Sequence, residues 1–357
     1  MSPLCVAKVH IIYQIRALFV LFHRKNCNLL YKFRTKGGKH ATFREKKLIF
    51  ASQMNKLLYY NRSVKNLSIL RDADLTSLNI DYVCPLCMKS FPSELAKTEL
   101  TEEDVPQKSL GGQRITLTCK QCNDICGSKI DVHLLETIKG IEQRAFLPGT
   151  DRKVTVQNGK KRLFATLKVD ENKDILLNID TKHNNPQTWT LFHDNILLEN
   201  SVIDLQDAPL KQDIRRFSAA VLKNAYLILF ARTGYTFLSD IFYDRLRQQI
   251  KNPDPYILPE RLWTFQNVSV PDGIYLTRDN RYRGFFVVYS LYLHQTYRVC
   301  VLIPTPKVEY LAACMELRKI NRKSRIQIMP LPHEDFICDE ISVKKLYKWA
   351  YGWNLDM

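Results

Sequence analysis

Two Cys-x-x-Cys knuckles constrain this chain more than any other feature. "CPLC" occupies 84–87 and "CKQC" 119–122, with 31 residues between Cys87 and Cys119. Each knuckle offers two thiolates from one tight turn. Four thiolates suit a tetrahedral zinc ion of the structural kind, which leaves no position open for water. Cys84, Cys87, Cys119 and Cys122 are therefore expected to hold structural zinc and to close a small domain with a thin core of its own. Cys126 reads as a buried thiol, not a fifth ligand. The other cysteines, Cys5, Cys27, Cys300, Cys314 and Cys338, are scattered. That pattern disfavours a secreted disulfide framework and points to a reducing, cytoplasmic compartment.

The 357 residues suffice for two or three domains. The formal net charge of +17 suggests an anionic partner, either nucleic acid or a membrane surface. Residues 1–53 hold eleven Lys or Arg and one acid, Glu45, so they supply +10 of it and the remaining chain +7. They read as a basic arm, either disordered or a non-native extension ahead of Met54. A short amphipathic anchor or a transit-like segment over 10–23 is the alternative. No apolar run reaches the roughly 18 residues that a membrane span requires, so no stable membrane insertion is expected.

Residues 54–80 show little periodicity and predict a lead-in with one short helix. "RITLTC" (114–119) alternates as a strand does. "SKIDVHLLETIKG" (128–140) predicts a helix begun by Ser128 with Asp131 in a capping-box arrangement and stopped by Gly140, with Ile130, Leu134 and Ile138 inward. A Pro-Gly linker follows at 145–153. Strands are expected at 153–157, 163–169 and 174–179, the first two joined by an Asn158-Gly159 turn. The clearest helix is 213–235, with Ile214, Phe217, Val221, Ala225 and Ile228 at helical spacing and Gly234 as its stop. A helix near 239–250, strands at 273–278, 284–293, 297–304 and 325–330, and helices near 307–318 and 341–350 complete a mixed α+β domain over 150–357.

The stretch "LTEEDVPQKSLGG", followed by "TLTCKQCNDICGSKIDVHL", resembles the HNH endonuclease family in its zinc-ribbon, four-cysteine branch, over about residues 82–136. The resemblance implies an HNH-like zinc domain over 81–142, with a treble-clef-like ββα-metal fold. It also implies hydrolysis of phosphodiester bonds in DNA with a catalytic magnesium or manganese ion. Glu103 falls at the acidic metal ligand, Asn123 at the Asn that orients the base and braces the loop, and His133 at the metal-ligand His on the helix. The general base of the family is a His directly after the acidic residue, and here that position is Asp104.

That departure has consequences for the chemistry. An Asp, with a pKa of about 3.9 against about 6.5 for His, is the weaker base, which slows proton transfer without abolishing it. Three outcomes stay open. Asp104 acts as base, or it joins Glu103 and His133 around the metal, or cleavage is lost and the zinc module binds nucleic acid or a partner without cutting. The acids 102–104 also read as a solvated loop, His133 as an ordinary helix histidine, and Asn123 as a helix cap. Lys108, Arg114, Lys120 and Lys129 read equally as phosphate contacts or as a solvated basic face. "RDNRYRGFF" (278–286) and "LRKINRKSR" (317–325) mix basic residues with strand and helix-end positions and carry the same two readings.

Overall fold

The computed structural model describes residues 41–158, 161–179, 183–188, 190, 202–204, 213–255, 257–258, 262–264, 268–277, 279, 281, 283–319 and 326–352. The expected arm over 1–53 lies outside the described residues up to 40. From Ala41 the chain is helical: α1 (Ala41–Asp72) runs through Met54 and replaces the short helix expected within 54–80. The contacts of α1 explain why periodicity did not reveal it. Tyr60, Leu67, Ile69 and Leu70 are buried, while Leu57 and Leu58 are exposed, so its apolar residues do not form one clean stripe.

The knuckle segment follows. β1 (Tyr82–Val83) and β2 (Ser90–Phe91) form a short antiparallel ladder around the first cysteine pair. After α2 (Ser93–Glu99), β3 (Leu100–Val105) and β4 (Gln113–Cys119) pair as an antiparallel hairpin across the Gly111-Gly112 loop. Gly111 sits at φ +83°, a conformation that glycine adopts without steric cost. The second knuckle opens one helical run in three parts: α3 (Lys120–Cys126), a π-helical turn over Gly127–Asp131, and α4 (Val132–Arg144). The expected helix start at Ser128 is therefore corrected. Ser128 lies inside the run, and its hydroxyl donates back to the Asp124 carbonyl at 2.8 Å. Gly140 does not stop α4, which continues to Arg144. The expected inward stripe of Ile130, Leu134 and Ile138 is fully buried.

The remaining elements are β5 (Asp151–Asn158), β6 (Lys161–Val169), β7 (Ile175–Ile179) and β8 (Val202–Asp204), in sheet order β7-β6-β5-β8. Next come α5 (Ile214–Thr233), α6 (Asp244–Lys251) and β9 (Trp263–Thr264). They are followed by β10 (Gly273–Thr277), β11 (Gly284–Tyr292), β12 (Thr296–Pro304), α7 (Tyr310–Lys319), β13 (Met329–Pro330) and α8 (Glu340–Ala350). The second large sheet is antiparallel in the order β13-β10-β11-β12-β9. Gly159 of the expected turn, and parts of 278–286 and 317–325, lie outside the described residues.

The fold is mixed α+β with small sheets, and the chain divides into two compact units. One comprises Glu142–Ala208 with the chain up to Leu48; the other comprises Ile49–Ile141 with Pro209–Met357. Residues 209–357 share a unit with the knuckle segment. The reason is α5, whose residues from Ala219 to Leu227 are buried on every side. They join Leu100, Leu117 and Ile130 of the knuckle segment and Val287 and Val301 of the five-stranded sheet in one core.

At the end of α5, Gly234 takes φ +60° as the expected stop, and a Cβ there would lie 2.5 Å from Asn66 Oδ1. That oxygen accepts from the Tyr235 N–H at 2.8 Å, and Asn66 Nδ2 donates to the Ile337 carbonyl at 3.0 Å. Asn66 is fully buried, so truncation strands a donor and an acceptor. Asn66→Ala should cost about 2 kcal/mol in urea unfolding; an unchanged midpoint would show that α1 is not docked through this residue.

Candidate functional site

The four knuckle cysteines converge, as the sequence suggests. Their sulfurs all lie within 4.8 Å of one another, and Cys87 Sγ is 3.8 Å from Cys119 Sγ. A tetrahedron with zinc–sulfur bonds of about 2.3 Å puts its sulfurs about 3.8 Å apart, so the donor set fits one metal ion such as zinc. Backbone donors surround it. The Cys119 N–H points at Cys84 Sγ, and the Cys122 N–H at Cys119 Sγ, each at 3.4 Å. Met88, at φ +59°, tightens the first knuckle so that the Met88 N–H reaches the Cys84 carbonyl at 2.9 Å. Hydrogen bonds from Cys119 and its neighbours pull the Cys87 thiol far below its ordinary range and push Cys122 up. Such a cluster favours binding of a cation. Cys126 is buried and is not among these ligands; burial pushes its thiol up to about 12.

The acidic position meets a cation that the motif did not announce. Lys223, in the middle of α5, is fully buried. Its Nζ donates to Glu103 Oε1 at 2.9 Å and to Asp131 Oδ2 at 2.6 Å. The other Glu103 oxygen, Oε2, accepts from Thr118 Oγ1 at 2.9 Å. Three devices bring these groups together. The β3–β4 hairpin carries a bulge at Glu103/Asp104, where Thr116 pairs with Glu103 but Arg114 with Asp104, leaving Ile115 as the extra residue. The π-helical turn ends on Asp131. The buried helix α5 supplies the lysine.

Electrostatics make this arrangement unforgiving. An ammonium in an apolar interior is tolerated only when paired and hydrogen-bonded. Burial lowers the pKa of Lys223, but Asp131 and Glu103 outweigh it, and the net shift is upward. Burial raises the Asp131 carboxyl, and Lys223 only partly offsets this. The two directions are compatible, because one ammonium faces two carboxylates and the surplus negative charge favours a proton.

The other motif residues are placed differently. Asp104, on the opposite face of β3 from Glu103, is partly exposed, with Arg114 Nε at 4.0 Å. Arg114 also holds Glu102 at 2.7 Å. Asn123 Nδ2 donates to Thr101 Oγ1 at 3.0 Å, which ties α3 to β3. His133 is half-buried in the first turn of α4. Among the described residues, the four cysteines are the group of three or more metal-ligating side chains that converges; Glu103, Asp104 and His133 do not form a second one. No protein-family model matches the chain, and no curated protein or solved structure matches it.

Sequence reasoning missed Lys223 and the inward role of Asp131. A signal existed: "AAVLKNAYL" sets a lysine inside a run that is apolar on both sides. Lys223→Met should leave two buried carboxylates without a countercharge and cost about 3–5 kcal/mol in urea unfolding. Adding Glu103→Gln and Asp131→Asn should recover most of the loss. A Lys223→Met variant as stable as the parent would show that the ammonium does not hold this core.

Proposed function

We propose that this chain is a zinc-ribbon module of HNH-like build that binds nucleic acid without hydrolysing it. The observation that carries this reading is the Lys223 ammonium between Glu103 and Asp131. Metal-assisted hydrolysis needs a Lewis acid that activates water and offsets charge on the phosphate. An ammonium neutralises a carboxylate but offers no open coordination position. Glu103, the residue matched to the metal ligand, has both oxygens engaged by Lys223 and Thr118. Asp104, at the position of the base, is the weaker base and lies beside Arg114. Zinc, when bound to the four cysteines, holds the fold; the chain's own residues do the recognising. The order of knuckle, acidic pair, Gly-Gly loop, knuckle and Asn supports the HNH-like build. The net charge of +17 and the exposed Lys108, Lys120 and Lys129 beside the hairpin support a polyanionic partner.

The reading as an active metal-dependent endonuclease is favoured by one observation, the accessibility of Asp104 next to the motif Glu. It requires Lys223 to withdraw and Glu103 to turn toward a magnesium or manganese ion shared with His133. The two readings separate in one experiment. Zinc-loaded protein is incubated with supercoiled plasmid and magnesium or manganese, and its binding to a labelled duplex is followed across salt concentrations. Non-cleaving binding predicts no nicking, also for Asp104→His, because the ammonium stays in place. It further predicts an affinity that falls steeply as salt rises. Nicking that Glu103→Gln and His133→Ala each abolish would establish the nuclease instead.

A further inference from the structure

The β7-β6-β5-β8 sheet buries one apolar face, and the other carries polar and basic side chains, of which Thr155 is buried. Val154 and Val156 of β5 and Leu163, Ala165, Leu167 and Val169 of β6 are buried together. Side chains alternate along a strand, so Lys153, Thr155 and Gln157 share the opposite face with Arg162, Phe164, Thr166 and Lys168. That face is polar and basic, with one exception. Phe164 stands 57% exposed in its middle.

The surroundings of the ring are specific. The register sets Thr155 directly opposite Phe164, Lys153 on the diagonal beside Thr166, and Gln157 opposite Arg162. Arg162 lies two residues along the same strand. At the far end Lys168 pairs with Asp151, the one carboxylate among the described side chains of this face. Asn184, almost fully buried, fixes the backbone under the ring. Its Oδ1 accepts from the Phe164 N–H at 2.7 Å, and its Nδ2 donates to the Phe164 carbonyl at 2.8 Å. The ring is thus presented from a pinned strand.

We infer that this face is a platform for single-stranded nucleic acid, with a base stacked on Phe164 and phosphates beside Lys153, Arg162 and Lys168. The inference rests on the nucleic-acid reading above and names the form of the polymer and the surface that takes it. An aromatic face flanked by cations matches an unpaired base with its phosphates. An intact duplex hides its base faces from such a ring. A protein partner or a membrane would call for a contiguous apolar patch, and among the described side chains of this face Leu176, 36% exposed, is the further large exposed apolar one.

The test uses the full chain and a fluorescein-labelled oligothymidylate of about twelve nucleotides, a length within the usual site size, alongside a duplex of the same length. Phe164→Ala should weaken single-strand binding about tenfold, the scale of one lost stacking contact, while duplex binding stays within about twofold. Phe164→Tyr should retain binding. Arg162→Gln should lower the slope of log affinity against log salt by about one for the single strand. Unchanged thermal melting of Phe164→Ala confirms that its fold is intact. The inference is overturned if Phe164→Ala binds the oligothymidylate as the parent does, or loses single strand and duplex alike. Duplex binding by the parent with no effect of Phe164 would remove this platform alone. A parent that binds neither polymer would remove the proposed function with it.

Discussion

One lysine in a dry interior sets the terms for the larger unit of this protein. The Lys223 ammonium is fully buried, and among the described residues its charge is answered by Glu103 and Asp131. Those two carboxylates come from a hairpin and from a helical run that are 28 residues apart in sequence, and the lysine comes from a helix a further 92 residues on. The pairing therefore demands that all three elements be placed together before the charge can be buried. It works as a registration device more than as a source of stability, since a buried ion pair barely offsets its own desolvation.

The local irregularities follow from that demand. Alternation along β3 turns Glu103 inward while Glu102 and Asp104 stay with Arg114 on the other side, and the bulge at Ile115 of β4 bends the hairpin beside them. The π-helical turn ahead of α4 ends on Asp131 and keeps Ile130, Leu134 and Ile138 in the core. The convergence of four thiols fixes the ends of the same hairpin-and-helix segment, because Cys119 closes β4 and opens α3. The thiol cluster and the ammonium thus act on one short stretch from opposite ends. The cation that the motif led one to seek at Glu103 is part of the polypeptide.

Much of this was legible in the residues. The knuckle spacing pointed to the converging thiols, the apolar periodicity marked α5, and the alternation of "RITLTC" marked β4. What stayed hidden had physical causes. Helix α1 lacks a single apolar stripe because Leu57 and Leu58 face outward while Tyr60 and Leu67 face in. Ser128 and Asp131 read as a helix start because a π-turn has no sequence period of its own. Lys223 stood out locally as a lysine in a largely apolar run, but its partners lie 120 and 92 residues away, so its role could not be read from local pattern. The cysteine frame is local in sequence and could be read; the partner of Glu103 is a tertiary fact.

The most direct measurement is a crystal structure of the zinc-loaded chain soaked in manganese, with anomalous scattering collected for both metals. The account predicts one zinc peak among Cys84, Cys87, Cys119 and Cys122, no manganese at Glu103, and Lys223 Nζ within hydrogen-bonding distance of Glu103 and Asp131. A manganese peak held by Glu103 with His133 or Asp104, and Lys223 turned away from it, would contradict the account and restore the hydrolase.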